Sequence, residues 1–316
     1  MKMLVTGGTG FIGQGLINKL LCRGHDVVVL DTSNKLQHND VEVLIGDVRN
    51  FNDVLHATRG CDIVWHLAYI NGTNKFYSHQ DDVLDVAVRG ALNTMDAALS
   101  CGVNRYVLAS SGEVYNNPTI IPTSETERLM IPDVTNPRFS YSGGKIISEL
   151  LAIHYAQKRG LDCLIFRPHN IYGPYMGSGC VMSQLMHKIY VATDCLQKQS
   201  CTICIQGTGD ETRSYCYIDD LAEAAYIIGT YGKPGEIYNA GAEEEITIRQ
   251  LIHQIGKILN IDIAIESGKI LDGSPTRRCP DMSKTSALGF KPAFNMHDGL
   301  LKTLEWFAKE YTTCRL

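Results

Sequence analysis

Residues 3–24 place an apolar strand, a glycine-rich turn and a helix in direct succession, in the segment MLVTGGTGFIGQGLINKLLCRG. Gly7, Gly10 and Gly13 lie in and just after the turn. Glycine permits a tight turn and lets the backbone approach a pyrophosphate, which the free amides and the dipole of a helix N-terminus attract. The segment therefore predicts a dinucleotide site that includes the three glycines with Phe11 and Ile12.

The pattern continues along the first half of the chain. Short apolar segments alternate with helical stretches, and a long helix is expected from about Asp81 to Ser100. Such alternation predicts an α/β protein with a Rossmann-type doubly wound parallel sheet, covered by helices on both faces. The further predicted strands are DVVVLD, VEVLIGD, DIVWHLA, RYVLASS and LDCLIFRP.

The alternation of apolar strands and helices ends after Arg167, where the segment PHNIYGPYMGSG is rich in glycine and proline. We expect a dinucleotide-binding domain over 1–170, with the segment EIYNAG returning a strand to its sheet near 236–240. A smaller α/β lobe that binds the substrate is expected over 171–316. Its predicted helices are 181–193, TIRQLIHQIGKILN and MHDGLLKTLEWFAKEY.

Composition and charge argue against several classes of protein. The net charge of −5 over 316 residues gives no sign of the basic patch of a nucleic-acid-binding protein. No apolar run reaches membrane-spanning length, and the N-terminus lacks a signal-peptide pattern. The 11 cysteines, an odd number without a regular spacing, indicate free thiols in a reducing cytoplasm. Cys201 and Cys204 form one C-x-x-C pair with no second pair or nearby histidine, so no metal site is expected.

Asp31 ends the second predicted strand, about 20 residues after the glycine turn, where a carboxylate can accept hydrogen bonds from an adenosine ribose. Its charge would repel a 2′-phosphate, so NAD is favoured over NADP as the cofactor. Lys35 nearby leaves NADP open. The alternative is that Asp31 only caps a turn.

Tyr141 and Lys145 lie four residues apart in YSGGK, so on a helix they share one face. A lysine cation about 5 Å from the phenol, at an effective dielectric of about 20, favours phenolate by about 3 kcal/mol, or about two pKa units. Tyr141 is then predicted to act as a general base toward a substrate hydroxyl. Gly143 and Gly144 would clear space beside the cofactor or a packed neighbour. The alternative is a surface tyrosine above a solvated lysine.

These motifs together resemble the extended branch of the short-chain dehydrogenase/reductase superfamily, the NAD-dependent nucleotide-sugar epimerases and dehydratases. The resemblance runs over nearly the whole chain. It implies that Asp47 and Val48 hold the adenine, that Leu67 and Ala68 lie beneath the dinucleotide, and that Pro168 lies near the nicotinamide. The matching segments, in family order, are the spacing G-x-x-G-x-x-G, GDV, HLA, SSGEVY, YSGGK, RPHNIYGP and TRRCPD.

The resemblance also implies roles for Ser111 and Glu113. Ser111 would hydrogen-bond the reacting hydroxyl and relay its proton, or it caps the strand end. Glu113 would abstract the proton on carbon 5 of a 4-keto sugar, or it is a buried salt-bridge partner. Gly112 stands where the related hexose 4,6-dehydratases carry their general acid, so dehydration and epimerisation both remain open.

Substrate contacts are implied for three more positions. Asn170 matches the family asparagine at the substrate, while Arg213 and Arg278 match arginines that clamp the diphosphate, a task that suits the guanidinium fork. Arg277 is a rival for Arg278, and either arginine could instead pair with Asp281.

Three features depart from the family pattern: Ala87, Asn116 and the loop AYINGTNKFY at 68–77. They favour an unusual sugar.

The leading hypothesis is an enzyme of carbohydrate biosynthesis that oxidises a nucleotide-linked sugar at carbon 4, rearranges it and returns the hydride. One alternative is decarboxylation of a nucleotide-linked sugar acid, which needs a cation for the carboxylate; the sequence offers no unambiguous one. A net ketone reductase and a non-catalytic dinucleotide sensor are further alternatives. The resemblance also implies a homodimer, formed through the helices at 81–100 and 141–159.

Overall fold

The computed structural model describes residues 1–38, 40–269 and 276–313, and it contains an all-parallel sheet of seven strands. Three smaller sheets lie in the second half of the chain. The strands are β1 (Lys2–Thr6), β2 (Asp26–Asp31), β3 (Glu42–Ile45), β4 (Ile63–His66), β5 (Arg105–Ala109), β6 (Cys163–Pro168), β7 (Ile171–Tyr172), β8 (Ser200–Gln206), β9 (Thr212–Ser214), β10 (Cys216–Tyr217), β11 (Ile237–Ala240), β12 (Glu245–Thr247), β13 (Asp262–Gly268) and β14 (Arg277–Arg278).

The helices follow the strands in the alternation that the sequence predicts. They are α1 (Phe11–Cys22), α2 (Phe51–Thr58), α3 (Thr73–Ser78), α4 (Gln80–Asp85), α5 (Ala91–Ser100), α6 (Ser140–His154), α7 (Val181–Ala192), α8 (Ile218–Tyr231), α9 (Ile248–Leu259), α10 (Ser283–Ser286) and α11 (Met296–Thr313). None of the helices in the described part of the chain is long and apolar enough to cross a membrane.

The central sheet has the order β11-β6-β5-β4-β1-β2-β3, which confirms the predicted Rossmann-type fold. The order reverses at β1, which lies between β4 and β2. In open parallel sheets the crevice at such a reversal, outside the carboxyl ends of the strands, is where ligands bind. Strand β11 comes from the second half of the chain and pairs with β6 at the sheet edge.

Burial on both faces explains the continuous apolar strands. Leu4 of β1 packs in the cluster on one face of the sheet, while Met3 and Val5 pack in the cluster on the other. Successive residues of a strand point to opposite faces, so both must be apolar when helices cover both faces.

The helical stretch expected from Asp81 to Ser100 is present and contains one π-helical turn. α4 and α5 are joined by a π-helical turn at Val86–Gly90. Gly90 packs against Val48, and a Cβ at this position would lie 2.8 Å from Val48 Cγ2. Glycine is therefore needed where the turn approaches the predicted adenine segment.

A buried ion pair holds α6 against the sheet. Arg167 of β6 donates from Nε to Glu149 Oε1 at 2.9 Å and from Nη2 to Glu149 Oε2 at 2.6 Å, and both side chains are almost fully buried. Ser110, directly after β5, donates to the same carboxylate. The pair thus joins α6, which carries Tyr141 and Lys145, to the ends of β5 and β6.

We expect Glu149→Gln to lower the free energy of unfolding by about 3 kcal/mol or more, because it leaves the Arg167 charge buried without its partner. Urea denaturation measures this loss. Glu266→Gln, an exposed glutamate of β13, is the matched control and should change stability by less than about 0.5 kcal/mol. Equal stability of the two variants would contradict the role given to the ion pair.

Candidate active site

A cleft of about 910 Å³ runs along the carboxyl ends of the strands and on into the second half of the chain. Every residue that the sequence assigned to the site lines this cleft, although the assignments came from segments far apart in the chain. These residues are Gly7, Gly10, Phe11, Ile12, Gly13, Asp31, Asp47, Val48, Leu67, Ala68, Ser111, Glu113, Tyr141, Lys145, Pro168, Asn170, Arg213 and Arg278.

The glycine turn is tight enough to exclude side chains. Gly7 has φ +72°, and a Cβ there would lie 2.6 Å from the backbone nitrogen of Ala68. A Cβ on Gly13 would lie 2.5 Å from the carbonyl oxygen of Gly7. α1 begins at Phe11 with no side chain capping its first amides, as an anion site at a helix N-terminus requires.

Asp31 lies at the carboxyl end of β2, beside the glycine turn. Its carboxylate accepts hydrogen bonds from the backbone amides of Thr9 at 3.0 Å and Ser33 at 3.2 Å, so it orders the turn as well as facing the cleft. Asp47 is held by Arg49, which donates to it from Nη2 at 2.7 Å. The glycine turn, the carboxylate and the helix N-terminus together fit a dinucleotide.

Tyr141 and Lys145 lie in the first turns of α6, and both are buried. The side chain of Ser111 acts on the Tyr141 hydroxyl and favours a lower pKa there, and its Oγ accepts from the amide of Glu113 at 3.2 Å. Ser111 therefore caps the turn after β5 and also reaches the tyrosine.

The expected lowering of the Tyr141 pKa is wrong for the chain without ligands. Burial raises the pKa of Tyr141 to about 12, against an opposing effect of the hydrogen bond with Ser111. Burial likewise lowers the pKa of Lys145 to about 7, which the charge of Glu149 opposes. The Lys145 Nζ donates to the Ala109 carbonyl at 2.6 Å and lies 6.0 Å from the centre of the Tyr141 ring. Desolvation of both groups therefore outweighs their mutual attraction.

Glu113 and Arg278 form a bidentate ion pair in the cleft. Arg278 Nη2 donates to Glu113 Oε2 at 2.8 Å, and Nη1 donates to Oε1. The alternative that Arg278 pairs with Asp281 is therefore wrong, and Glu113 has the salt bridge that was its alternative role. Burial alone would raise the pKa of Glu113, but Arg278, with the charges of Arg138 and Arg213, lowers it to about 2.

Gly112 has no room for the general acid of a dehydratase. A Cβ on this residue would lie 2.5 Å from Cε1 of His169, which is buried. His169 Nε2 donates to Asn239 Oδ1 at 3.0 Å, and burial lowers the pKa of the imidazole to about 4. His169 is thus a neutral packing residue.

Of the other two candidate arginines, Arg213 lines the cleft and Arg277 does not. Strand pairing of β9 and β14 places Arg213 directly beside Arg278. Arg277 instead pairs with Glu245 and is absent from the cleft lining. Asn170 adopts φ +42° and donates to the Ser214 carbonyl at 3.0 Å.

Arg138, Tyr69 and Phe76 are among the cleft residues that the sequence did not assign to the site. Arg138 lies in the short 3-10 turn Pro137–Phe139 that directly precedes α6, and no sequence motif pointed to it. The Phe76 ring stacks on Tyr141 with ring centres 4.9 Å apart. Phe76 and Tyr69 lie in the loop that departs from the family pattern, so no motif pointed to them.

The sequence profile of the NAD dependent epimerase/dehydratase family matches residues 3–241. The chain belongs to this family. Its membership confirms the expected superfamily and the expected cofactor, because the family is NAD-dependent.

Two curated proteins that are similar to the chain are decarboxylases of nucleotide-linked sugar acids. The chain is 30% identical over 321 residues to the UDP-N-acetyl-alpha-D-glucosaminuronate decarboxylase of Bacillus cytotoxicus, covering 97% of each protein. It is 29% identical over 317 residues to UDP-glucuronic acid decarboxylase 1 of Xenopus tropicalis, covering 98% of this chain and 72% of that one.

A double mutant of the dTDP-glucose 4,6-dehydratase DesIV from Streptomyces venezuelae, solved with NAD bound, superposes with a TM-score of 0.87. It is 25% identical, and the match covers 99% of this chain and 98% of that one. The chain is therefore an enzyme of the nucleotide-sugar class in this family.

Replacing Asp31 by asparagine removes the negative charge that would repel the 2′-phosphate of NADP. We expect Asp31→Asn to weaken NAD binding and to reduce the preference for NAD over NADP by about tenfold or more, since a hydrogen bond to a charged group contributes about 1.5–3 kcal/mol. Calorimetric titration with each dinucleotide measures the ratio. Asp26→Asn, an exposed position at the start of β2, is the control. An unchanged ratio in Asp31→Asn would contradict the assignment.

Proposed function

We propose that this enzyme decarboxylates a nucleotide-linked sugar acid, the reaction that the sequence left as an alternative for want of a cation. The observation that carries the proposal is the position of Arg278 in the cleft. Its side chain lines the cleft together with Arg138 and Arg213, so three guanidinium groups are available there for an anionic substrate. The two decarboxylases to which the chain is similar support the same reaction.

The charges around Glu113 suit an acidic substrate. Arg138, Arg213 and Arg278 all act on this one carboxylate and lower its pKa. A nucleotide-linked sugar acid carries both a diphosphate and a carboxylate, and guanidinium groups recognise each of these anions with paired hydrogen bonds. In this proposal, Arg213 holds the diphosphate and Arg278 faces the sugar carboxylate.

The same ion pair disfavours dehydration. A carboxylate whose pKa is about 2 and whose oxygens accept from Arg278 is a weak base for the proton on carbon 5. Gly112 also lacks both the general acid and the room for one. Decarboxylation needs neither group, because a ketone at carbon 4 is β to the carboxylate on carbon 5. The bond between carbon 5 and the carboxylate carbon breaks, and CO₂ leaves. The electron pair of that bond moves onto the ketone to form an enolate, which then takes up a proton at carbon 5.

Tyr141, Lys145 and Ser111 would serve the redox half of the reaction. NAD held by the glycine turn and Asp31 would supply the hydride acceptor for the oxidation at carbon 4. Tyr141 takes the proton of the carbon 4 hydroxyl, and Ser111, hydrogen-bonded to the phenol, orients that hydroxyl. Lys145 stabilises the phenolate in its charged form.

The first experiment incubates the purified protein with UDP-glucuronic acid, its N-acetylglucosamine counterpart and the matching neutral UDP-sugars in deuterium oxide. We expect a product lighter by CO₂ from an acid, with deuterium at carbon 5, by mass spectrometry and proton NMR. A product lighter by water would instead identify a dehydratase. An isobaric product from a neutral sugar would identify an epimerase. No turnover with dinucleotide bound would favour the sensor alternative.

Arg278→Lys keeps a cation but loses the guanidinium fork. We expect kcat for the acidic sugar to fall by about 100-fold or more, which is typical for loss of one preorganised charge donor. Arg277→Lys is the matched control, since the neighbouring arginine pairs with Glu245 away from the cleft, and its kcat should stay within about twofold. Similar losses in both variants would contradict the role of Arg278.

We also propose a homodimer through α4, the π-helical turn, α5 and α6, as the resemblance implies. α6 packs against α4 and leaves Ile147 39% and Leu150 67% exposed. Leu150→Glu should therefore yield monomers in multi-angle light scattering, because it places a charge in an apolar interface. Val191→Glu, which changes a 65% exposed valine of α7, should leave the dimer intact. A monomeric native protein would reject the proposal.

A further inference from the structure

Tyr69, in the loop after β4, contacts both members of the Tyr141–Lys145 pair. The Lys145 Nζ lies 3.7 Å from the centre of the Tyr69 ring. The Tyr69 hydroxyl donates to the carbonyl oxygen of Tyr141 at 3.3 Å. The two tyrosine rings meet edge to face with centres 5.1 Å apart. One side chain therefore contacts the ammonium, the phenol ring and the backbone of α6.

The chain provides space for this ring at Gly144. A Cβ on Gly144 would collide with the Tyr69 hydroxyl and would lie 2.6 Å from Cβ of Ala87. Ala87 is itself one of the departures from the family pattern, where asparagine is common. The second glycine of YSGGK is thus required by Tyr69 and by Ala87.

The surroundings of Lys145 leave few groups to stabilise its charge. Glu149, one turn further along α6, already binds Arg167. His66 of β4 is buried, and its pKa is lowered to about 3, first by burial and then by the charge of Lys145. Tyr141 is buried as a neutral phenol, and burial holds the pKa of Tyr69 well above its usual value. The Ala109 carbonyl and the face of Tyr69 are thus the closest neutral groups that attract the ammonium.

We propose that Tyr69 is a positioning residue: its ring holds Lys145 in the charged form, so that the ammonium stays beside Tyr141. The proposal rests on the proposed roles of Tyr141 and Lys145. The ionisation of Lys145 is, however, measurable without any substrate. A failure of the proposed reaction and a failure of this inference are therefore distinguishable.

The direct test is the pH titration of the Lys145 side chain by carbon-13 NMR of its Cε, assigned with Lys145→Arg. A desolvated cation–π contact favours the ammonium enough to move a pKa by about 1 to 1.5 units. We expect Tyr69→Leu to lower the Lys145 pKa by this amount. Tyr69→Phe, which keeps the ring, should change it by less than about half a unit. An unchanged pKa in Tyr69→Leu, or an equal fall in both variants, would overturn the proposal.

Fluorination gives a test that does not depend on Tyr69→Leu folding. Phenylalanine analogues with one, two and three ring fluorines at position 69 nearly keep the shape but progressively weaken the negative face of the ring. The Lys145 pKa should fall stepwise with the number of fluorines, and a flat series would reject the cation–π contact.

The pH profile of turnover gives the catalytic consequence of the same contact. Lys145 loses its charge as the pH rises through its pKa, so a lower pKa should move the basic limb of kcat/KM to lower pH in Tyr69→Leu. Tyr69→Phe should keep the native profile. A uniform loss of kcat/KM at every pH, with no movement of the limb, would indicate a purely structural role and contradict the proposal.

Discussion

The buried ion pair between Glu149 and Arg167 is the interaction on which the geometry of the cleft depends. Arg167 also donates to the Tyr115 oxygen at 2.7 Å, and Tyr115 in turn donates to Asn239 of β11 at 2.9 Å. The ends of β5, β6 and β11 and the middle of α6 are thus tied together below the cleft. Since Lys145 lies one turn before Glu149, the pair determines where Tyr141 and Lys145 meet the strand ends. A buried pair of this kind is costly to break, because either partner alone is an unpaired charge.

Burial decides the protonation of the reacting groups. The four-residue spacing of Tyr141 and Lys145 places a cation near a phenol and, taken alone, predicts a lowered tyrosine pKa. In the folded chain both groups leave water, and desolvation favours the neutral form of each, with a pKa of about 12 for Tyr141 and about 7 for Lys145. An aromatic face against the amine partly offsets that penalty, because it offers attraction without a second charge.

Glu113 and Arg278 are 165 residues apart in the chain, and the family resemblance gives them separate tasks. The pairing of β9 with β14 brings Arg278 to the cleft. There its positive charge compensates the negative charge of Glu113. That single contact weakens the carboxylate as a base and, in the proposed reaction, supplies the cation for the sugar carboxylate. Under this proposal, one long-range ion pair favours decarboxylation over dehydration.

Much of the protein follows from local patterns in its sequence. The seven-stranded parallel sheet follows from alternating apolar strands and helices, and the dinucleotide half of the cleft follows from a glycine turn and Asp31, because backbone geometry and strand-end chemistry act over a few residues. The Glu113–Arg278 pair, the lowered pKa of Lys145, and the fit of Tyr69 over Gly144 do not follow. Each depends on which distant side chains meet and on how much water they lose, and only the packed tertiary structure settles those two quantities.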